Sequence, residues 1–235
     1  MNSTDNNYYI AITTGDFVSN YLTKHETITV NSINYQIHSL KNRQQFFDYK
    51  QRAEILGISS ATWSLFGVIW PSSHVLANIV SKLVLEGKRI LEIGCGIALS
   101  SIVLHRMGAN ITASDYHPLT KEFLEKNTEA NNLPPMNYHS GNWEKKDSLG
   151  KFDLIIGSDI LYEPIHPEIV SQFIQRHSGE DTQVIVIDPN RSNRSAFTKR
   201  MIDLGFSHNF EKFETRDENN ALCKGRILHF QYQTV

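Results

Sequence analysis

The sequence predicts an α/β fold in which a sheet of seven strands carries helices on both faces. From residue 71 onward, short apolar segments alternate with segments of helical periodicity, as in successive βαβ units. The short segments, such as LIIG and VIVID, are almost entirely apolar, which is typical of parallel strands covered on both faces. Two β-rich segments close the chain without a helix between them. We therefore expect a doubly wound, Rossmann-like, mostly parallel sheet with a C-terminal antiparallel hairpin.

The first part of the chain differs in character from the rest. Residues 27–40, TITVNSINYQIHSL, alternate around an Asn-Ser turn and predict a β-hairpin. Residues 43–57 have helical spacing and end at Gly57, which predicts a helix. We interpret residues 1–60 as an N-terminal hairpin and helix extension packed on a main domain of residues 61–235.

The main domain begins with a helix over residues 71–87, because Pro71 is favourable in a first turn and apolar residues follow at helical spacing. The predicted parallel strands cover residues 89–94, 110–115, 137–143, 152–161 and 183–188. The predicted helices between and after them cover residues 97–108, 118–132, 167–178 and 192–205. The predicted closing strands cover residues 206–215 and 225–233.

Composition excludes several classes of function. The 235 residues are 40% hydrophobic and 20% charged, with a formal net charge of -2, so there is no electrostatic reason to expect nucleic-acid binding. No apolar run is long enough for a membrane span, and the N-terminus lacks the features of a signal peptide. Cys95 and Cys223 are far apart and predict no disulfide framework, which favours the reducing cytoplasm.

The segment 90–100, ILEIGCGIALS, predicts a ligand-binding turn between a strand and a helix. Gly94 and Gly96 allow a close backbone approach, and the following helix N-terminus favours an anionic group. Asp115 closes the next strand 19 residues after Gly96, where an acid can accept hydrogen bonds from ribose hydroxyls. The pattern indicates a nucleotide-like ligand.

Two neighbouring residues narrow the choice of ligand class. Leu99 stands where a dinucleotide site has its third glycine, so a nicotinamide oxidoreductase is a distant alternative. Glu92 lies within a buried strand end, where an acid needs a polar partner such as an ammonium group. A ligand that combines ribose, carboxylate and ammonium is S-adenosylmethionine (AdoMet).

Three segments in order resemble a known family. The stretch LEIGCG, followed by Ser114-Asp115 at the end of the next strand, resembles the seven-stranded AdoMet-dependent methyltransferases. Residues 67–77, GVIWPSSHVLA, and 158–164, SDILYEP, are similar to the family 16 protein lysine methyltransferases, a group that includes calmodulin-lysine and electron-transfer-flavoprotein β-subunit lysine methyltransferases. The resemblance covers residues from about 60 to 235 and implies a protein substrate that presents a lysine.

The resemblance implies a set of cofactor contacts. Glu92 and the two glycines would line the methionine end of AdoMet, Asp115 would hold the ribose, and Trp70 would lie beside the cofactor. Asn142 precedes Trp143 where the family commonly has Asp-Trp near the adenine amine, so here the acceptor is uncharged. The complete predicted set is Trp70, Glu92, Gly94, Gly96, Asp115, Tyr116, Asn142, Trp143 and Ser158.

The resemblance also implies a catalytic pair, Asp159 and Tyr162, from its Asp-x-x-Tyr motif. The Asp159 carboxylate would accept an N–H bond and orient the acceptor amine, and Tyr162 would present its ring or hydroxyl to the same nitrogen. A carboxylate beside a cation favours the charged amine, so Asp159 is not assigned as the general base. The alternative interpretation is that both residues only cap the strand and pack the next helix.

Other interpretations stay open. An arginine, a histidine or a small-molecule amine could be the acceptor, and a catalytically inactive AdoMet-binding scaffold is an alternative of another class. The ten histidines show no metal-binding spacing, so no metal site is predicted. Arg191 and Arg194 either contact substrate or are ordinary solvated charges. The N-terminal residues are expected to shape the acceptor groove, by position alone.

Overall fold

The computed structural model describes residues 21–145, 149–217 and 219–232, which form two sheets. The first is the antiparallel pair β1 (Thr23–Val30) and β2 (Ile33–Leu40). The second has seven strands: β3 (Arg89–Ile93), β4 (Asn110–Asp115), β5 (Asn137–Ser140), β6 (Phe152–Ser158), β7 (Ser178–Asp188), β8 (Phe206–Arg216) and β9 (Leu222–Tyr232).

Helices of the described residues connect and cover these strands. They are α1 (Arg52–Ile55), a 3₁₀ helix (Trp63–Gly67), α2 (Pro71–Val80), α3 (Leu99–Arg106), α4 (Thr120–Ala130), α5 (His166–His177) and α6 (Arg194–Asp203). None of them has the length and apolar character of a bilayer-spanning segment.

The large sheet has the order β5-β4-β3-β6-β7-β9-β8. Strands β3 to β7 pair in parallel, whereas β9 pairs antiparallel with both β7 and β8. The predicted fold class, with its reversed C-terminal hairpin, is therefore confirmed. The chain order reverses between β3 and β6, and ligands of open α/β sheets bind beyond the carboxyl ends of the strands at such a point.

The sheet is covered on both faces, as its apolar strands predict. Successive residues of β3 point to opposite sides, so Ile90 joins the core under α2, α3 and α4, while Leu91 joins the core under α5 and α6. Leu154 and Ile155 divide in the same way in β6. The two cores hold the carboxyl ends of β3 and β6 rigidly next to each other.

The predicted helix over residues 43–57 is wrong, since the structure has only the single turn α1 there. The cause is local competition for backbone groups. The Asp48 carboxylate accepts the N–H groups of Ala53 and Glu54, both at 2.9 Å, and the Asn42 side chain accepts the N–H of Gln44 at 3.0 Å. Such side-chain bonds satisfy the backbone without a continuous helix.

Other differences concern element ends. The helix predicted over residues 71–87 ends at Val80, and the strand predicted over 137–143 ends at Ser140. The strand predicted over 183–188 begins earlier, at Ser178, with an irregularity opposite Phe152. These changes leave the order of elements as predicted.

The N-terminal hairpin docks onto α4 through two side-chain amides. Asn127 accepts the His38 N–H at 2.6 Å and donates to the His38 carbonyl at 3.2 Å. Asn131 binds both backbone groups of Gln36 in the same way, at 2.9 and 2.7 Å. The two side-chain amides thus hydrogen-bond to the outer edge of β2 as a neighbouring strand would. They satisfy backbone N–H and carbonyl groups of β2 that would otherwise be unpaired.

Candidate active site

The glycine turn between β3 and α3 requires small residues. Gly94 and Gly96 have φ angles of 61° and 54°, in the left-handed region that favours glycine. A Cβ on Gly96 would lie 2.7 Å from the Phe66 carbonyl oxygen, and a Cβ on Gly94 would lie 2.8 Å from a methyl group of Ile160. The bare backbone of this turn is therefore enclosed by the 3₁₀ helix on one side and by the loop after β6 on the other.

Asp115 ends β4 beside this turn and is tied to it. One carboxylate oxygen accepts the Gly96 N–H at 2.8 Å, and the other accepts the His117 N–H at 2.8 Å. Desolvation raises the pKa of this carboxyl, and the backbone hydrogen bonds oppose the rise. The carboxylate thus lies directly beside the bare backbone of the turn.

His117 is a neighbour that the sequence analysis missed. Its ring stacks on Phe66 with centroids 3.8 Å apart, and burial lowers its pKa to about 3, so the ring is neutral. Its Nδ1 accepts the Leu119 N–H at 3.2 Å, which places the ring proton on Nε2. No sequence pattern marks this packing role.

Glu92 is 2% exposed and has a partner within the protein. Its carboxylate accepts the Ser101 N–H at 2.9 Å and the Ser101 hydroxyl, in the first turn of α3. Burial raises the pKa of Glu92 to about 7, and the Ser101 bonds act against the rise. The sequence analysis gave this acid only a ligand ammonium as partner and missed the serine.

Trp70 and Tyr116 connect the site to residues before α2. The Trp70 indole N–H donates to the Leu65 carbonyl at 2.9 Å, and the Arg43 guanidinium lies 5.3 Å from its ring centroid. The Tyr116 hydroxyl donates to the Leu56 carbonyl at 2.6 Å. Their polar atoms thus hold residues before α2 against the carboxyl edge of the sheet.

Asn142 and Trp143 follow β5. The Asn142 side-chain oxygen accepts the Glu144 N–H at 2.9 Å. The Trp143 ring comes within 3.4 Å of the position a Gly94 Cβ would take, and its edge meets the His166 ring at a centroid distance of 5.2 Å. Its indole N–H is buried and has no acceptor among the described residues. A buried donor of this kind next to the glycine turn needs a partner.

Asp159 follows Ser158 at the end of β6 and is held by Arg191. The guanidinium donates from Nε to one carboxylate oxygen at 2.7 Å and from a terminal nitrogen to the other at 2.8 Å. The Asp159 side chain is 8% exposed, and its backbone has a left-handed φ of 55°. Of the two roles the sequence analysis left open for Arg191, a solvated charge is wrong, because Arg191 is the partner of Asp159.

Tyr162 lies at the mouth of the site, 41% exposed, with its ring edge-on to His166 at 4.6 Å. Asn193 fixes the loop that carries it by donating to the carbonyls of Leu161 and Glu163, at 2.9 and 3.0 Å. The loop after β6 is thus bound to the loop after β7 by Asn193 and Arg191. Residues separated by about 30 positions give no sequence signal for such pairing.

These features fit AdoMet. The turn leaves backbone where a side chain would collide, Asp115 places a carboxylate next to it, and Trp143 offers a buried donor without an acceptor among the described residues. Glu92 supplies a buried carboxyl group beside the first turn of α3. The donors and acceptors match a ligand with hydroxyl, amine and carboxylate groups.

Comparisons with known proteins agree with this geometry. A profile of the lysine methyltransferase family matches residues 51–203. The chain is 22% identical to an electron transfer flavoprotein beta subunit lysine methyltransferase of Xenopus laevis, over 78% of this chain and 74% of that protein. It is 36% identical to the histone-arginine methyltransferase METTL23 of Rattus norvegicus, over 41% of this chain and 46% of that protein.

Solved structures share the fold. A SAM-dependent methyltransferase of Methanosarcina mazei superposes with a TM-score of 0.57 at 14% identity, over 71% of this chain and 99% of that one. Because the family profile spans well over half of the sequence, the chain belongs to the lysine methyltransferase family.

Proposed function

We propose that this methyltransferase transfers the methyl group of AdoMet to the side-chain nitrogen of a lysine in another protein. The observation that carries the proposal is the Asp159–Tyr162 loop, which projects from the end of β6 next to the glycine turn of β3. A negative charge and an exposed aromatic ring beside a cofactor turn suit a cationic side chain.

The cofactor contacts proposed from the sequence keep their assignments. Gly94 and Gly96 would bind the methionine end through bare backbone, with Glu92 behind it, and Asp115 would accept the ribose hydroxyls. Asn142 and Trp143 would lie near the adenine amine, Trp70 would lie beside the cofactor, and Tyr116 and Ser158 would be further cofactor contacts. When bound, AdoMet supplies an electrophilic methyl carbon on a sulfonium.

The remaining chemistry is positioning. Methyl transfer needs a neutral amine lone pair in line with the methyl carbon. Asp159 would accept one N–H of the amine and stabilise the charge that develops on nitrogen, with Tyr162 covering the other side. Release of the amine proton to water fits this arrangement, since Asp159 is assigned an orienting role and both of its oxygens are held by Arg191.

Arginine is a second candidate acceptor, favoured by the similarity to METTL23. Incubation of the purified protein with tritiated AdoMet and a cell lysate, followed by hydrolysis of the labelled protein, separates the two. We expect labelled methyl-lysine. Methyl-arginine would select the second candidate, and label found only in low-molecular-weight material would refute a protein substrate.

We also propose a reducing compartment, the cytoplasm, as the site of action. Cys95 is buried in the glycine turn and Cys223 is in β9, and both are free thiols. An oxidising compartment would favour disulfides that this arrangement does not provide.

A further inference from the structure

A groove of about 330 Å³ lies between α6 and the β8–β9 hairpin. We call it the basic groove, and its main lining residues are Arg194, Lys199, Ile202, Phe210, Arg226 and Leu228. Among the described residues, none that lines this cavity carries a carboxylate. A surface concavity with one sign of charge raises the local concentration of ligands with the opposite sign.

The cations of the basic groove are available. Arg226 stacks over the Phe210 ring at 4.9 Å, and Lys212 lies opposite Arg226 in the β8–β9 register. Within the described ranges, neither these two residues nor Lys199 forms an ion pair, whereas Lys224 further along β9 is paired with Glu214 at 2.7 Å. The lining charges of Lys199 and Arg226, and that of Lys212 next to Arg226 on β8, thus have no ion-pair partner among the described residues.

Apolar side chains stand between these charges. Phe210 is 48% exposed and Ile202 is 51% exposed, while Leu228 forms a buried floor. A polyphosphate backbone has no apolar groups that could pack against this exposed apolar surface. A peptide that carries both carboxylates and apolar side chains matches both properties.

The inner end of the basic groove reaches the active site. Arg194 lies 3.6 Å from the buried Asp188 carboxylate, and the same carboxylate accepts the Arg191 N–H at 3.0 Å. Arg191 in turn holds Asp159. Asp188 and Arg191 therefore link the lining residue Arg194 to Asp159, the residue proposed to orient the acceptor nitrogen.

We propose that the basic groove binds an acidic segment of the protein acceptor that adjoins the methylated residue. Its carboxylates would pair with Lys199, Lys212 and Arg226, and an apolar side chain would contact Phe210 and Ile202. This inference rests on the proposed function, since it requires a protein acceptor. It adds a specificity determinant outside the cofactor site: acceptors rich in Asp and Glu next to the lysine are preferred.

A pair of charge variants tests the basic groove. The probe is a fluorescein-labelled peptide with one lysine flanked by glutamates and leucines, and a second peptide has glutamine in place of each glutamate. We expect the wild type to bind the glutamate peptide more tightly, and K199E/K212E to weaken that binding about tenfold, measured by fluorescence anisotropy. K199Q/K212Q should give an intermediate loss of affinity for the glutamate peptide. Added salt should reduce the difference in affinity between the wild type and the charge variants.

The matched control is K88E/K151E, which changes the charge equally. Lys88 and Lys151 directly precede β3 and β6, at the opposite edge of the sheet, so binding should change less than about twofold. Equal binding by K199E/K212E and the wild type would refute the groove, as would equal binding of the two peptides. Tighter binding of a single-stranded RNA that displaces the peptide would also overturn it.

The same variants are also assayed for AdoMet binding and for methyl transfer to lysate protein. These assays distinguish failure of the groove proposal from failure of the proposed function. The groove proposal fails alone if the wild type transfers methyl groups but shows no preference for glutamate. The proposed function fails if the wild type transfers none, whatever the peptides show.

Discussion

At Asp159, backbone and side chain are constrained together. The backbone has a left-handed φ, and the two bonds from Arg191 fix the direction of the carboxylate. Non-glycine residues in this region are uncommon and are often held there by their surroundings at functional sites. The geometry supports a role in orienting substrate, not in taking a proton.

We expect Asp159→Ala to abolish methyl transfer while AdoMet affinity stays within a few-fold, because the proposed role of the carboxylate is to orient the acceptor and not to bind the cofactor. Calorimetry and tritium incorporation measure the two effects. Asp181→Ala is the control, since Asp181 is an exposed aspartate with a similar φ of 61°. Unchanged turnover in Asp159→Ala would remove Asp159 from the mechanism.

Glu92 makes stability depend on pH. Its folded pKa of about 7 lies above the ordinary 4.5, so the folded state holds the proton more tightly than the unfolded chain does. This contribution is complete below pH 4.5 and is lost as pH rises through about 7. The loss is on the order of 3 kcal/mol.

We therefore expect the stability difference between Glu92→Gln and wild type to shift in favour of the variant between pH 4.5 and pH 7.5 or so. Urea unfolding across this pH range measures the free energy of unfolding of both proteins. Subtracting one value from the other removes the contribution of the groups that titrate in both. Glu54→Gln, at an exposed position, should show no such trend. A parallel pH profile for Glu92→Gln and wild type would contradict the burial of a protonated Glu92.

Among the elements, α4 has two roles, since it covers the sheet and pairs with β2. Asn127 is fully buried and satisfies both backbone groups of His38 and the Ile97 carbonyl. Buried polar groups that lose their partner are costly. The amide therefore stabilises the contact between hairpin and main domain.

Asn127→Ala should lower the free energy of unfolding by about 2–3 kcal/mol, because three backbone groups lose their partner at once. Asn78→Ala is the matched control, since its half-buried amide donates one bond, to the His74 carbonyl at 2.8 Å, and its loss should cost about 1 kcal/mol or less. Chemical denaturation measures both. Equal losses would show that the amide pairing with β2 contributes little.

The order of elements could be predicted from the sequence because apolar runs such as 89–94 and 152–161 are local signals. The single turn at α1 could not, since the Asp48 bonds replace the helix that the spacing favours. Contacts such as Arg191 with Asp159 or Asn127 with His38 join residues 32 and 89 positions apart. Only the assembled sheet brings them together.

At the scale of the whole molecule, a ligand that binds only the folded state raises its stability. At a hundred times its Kd, AdoMet should add about 2.7 kcal/mol, a rise in Tm of roughly 5–10 °C for a chain of this size. Thermal denaturation with AdoMet, its demethylated product and NAD tests this. We expect shifts for the first two only, and a shift with NAD would reopen the oxidoreductase alternative.

The amide of Asn127 donates to the carbonyl of His38 in the hairpin and to that of Ile97, the residue directly after Gly96. A shortened polypeptide starting at residue 61 would keep every signature motif of a methyltransferase and the bond from Asn127 to Ile97, yet the same amide would lose both of its His38 partners. Trimming the first 60 residues to obtain a minimal catalytic unit would therefore loosen the side chain that contacts the residue after Gly96.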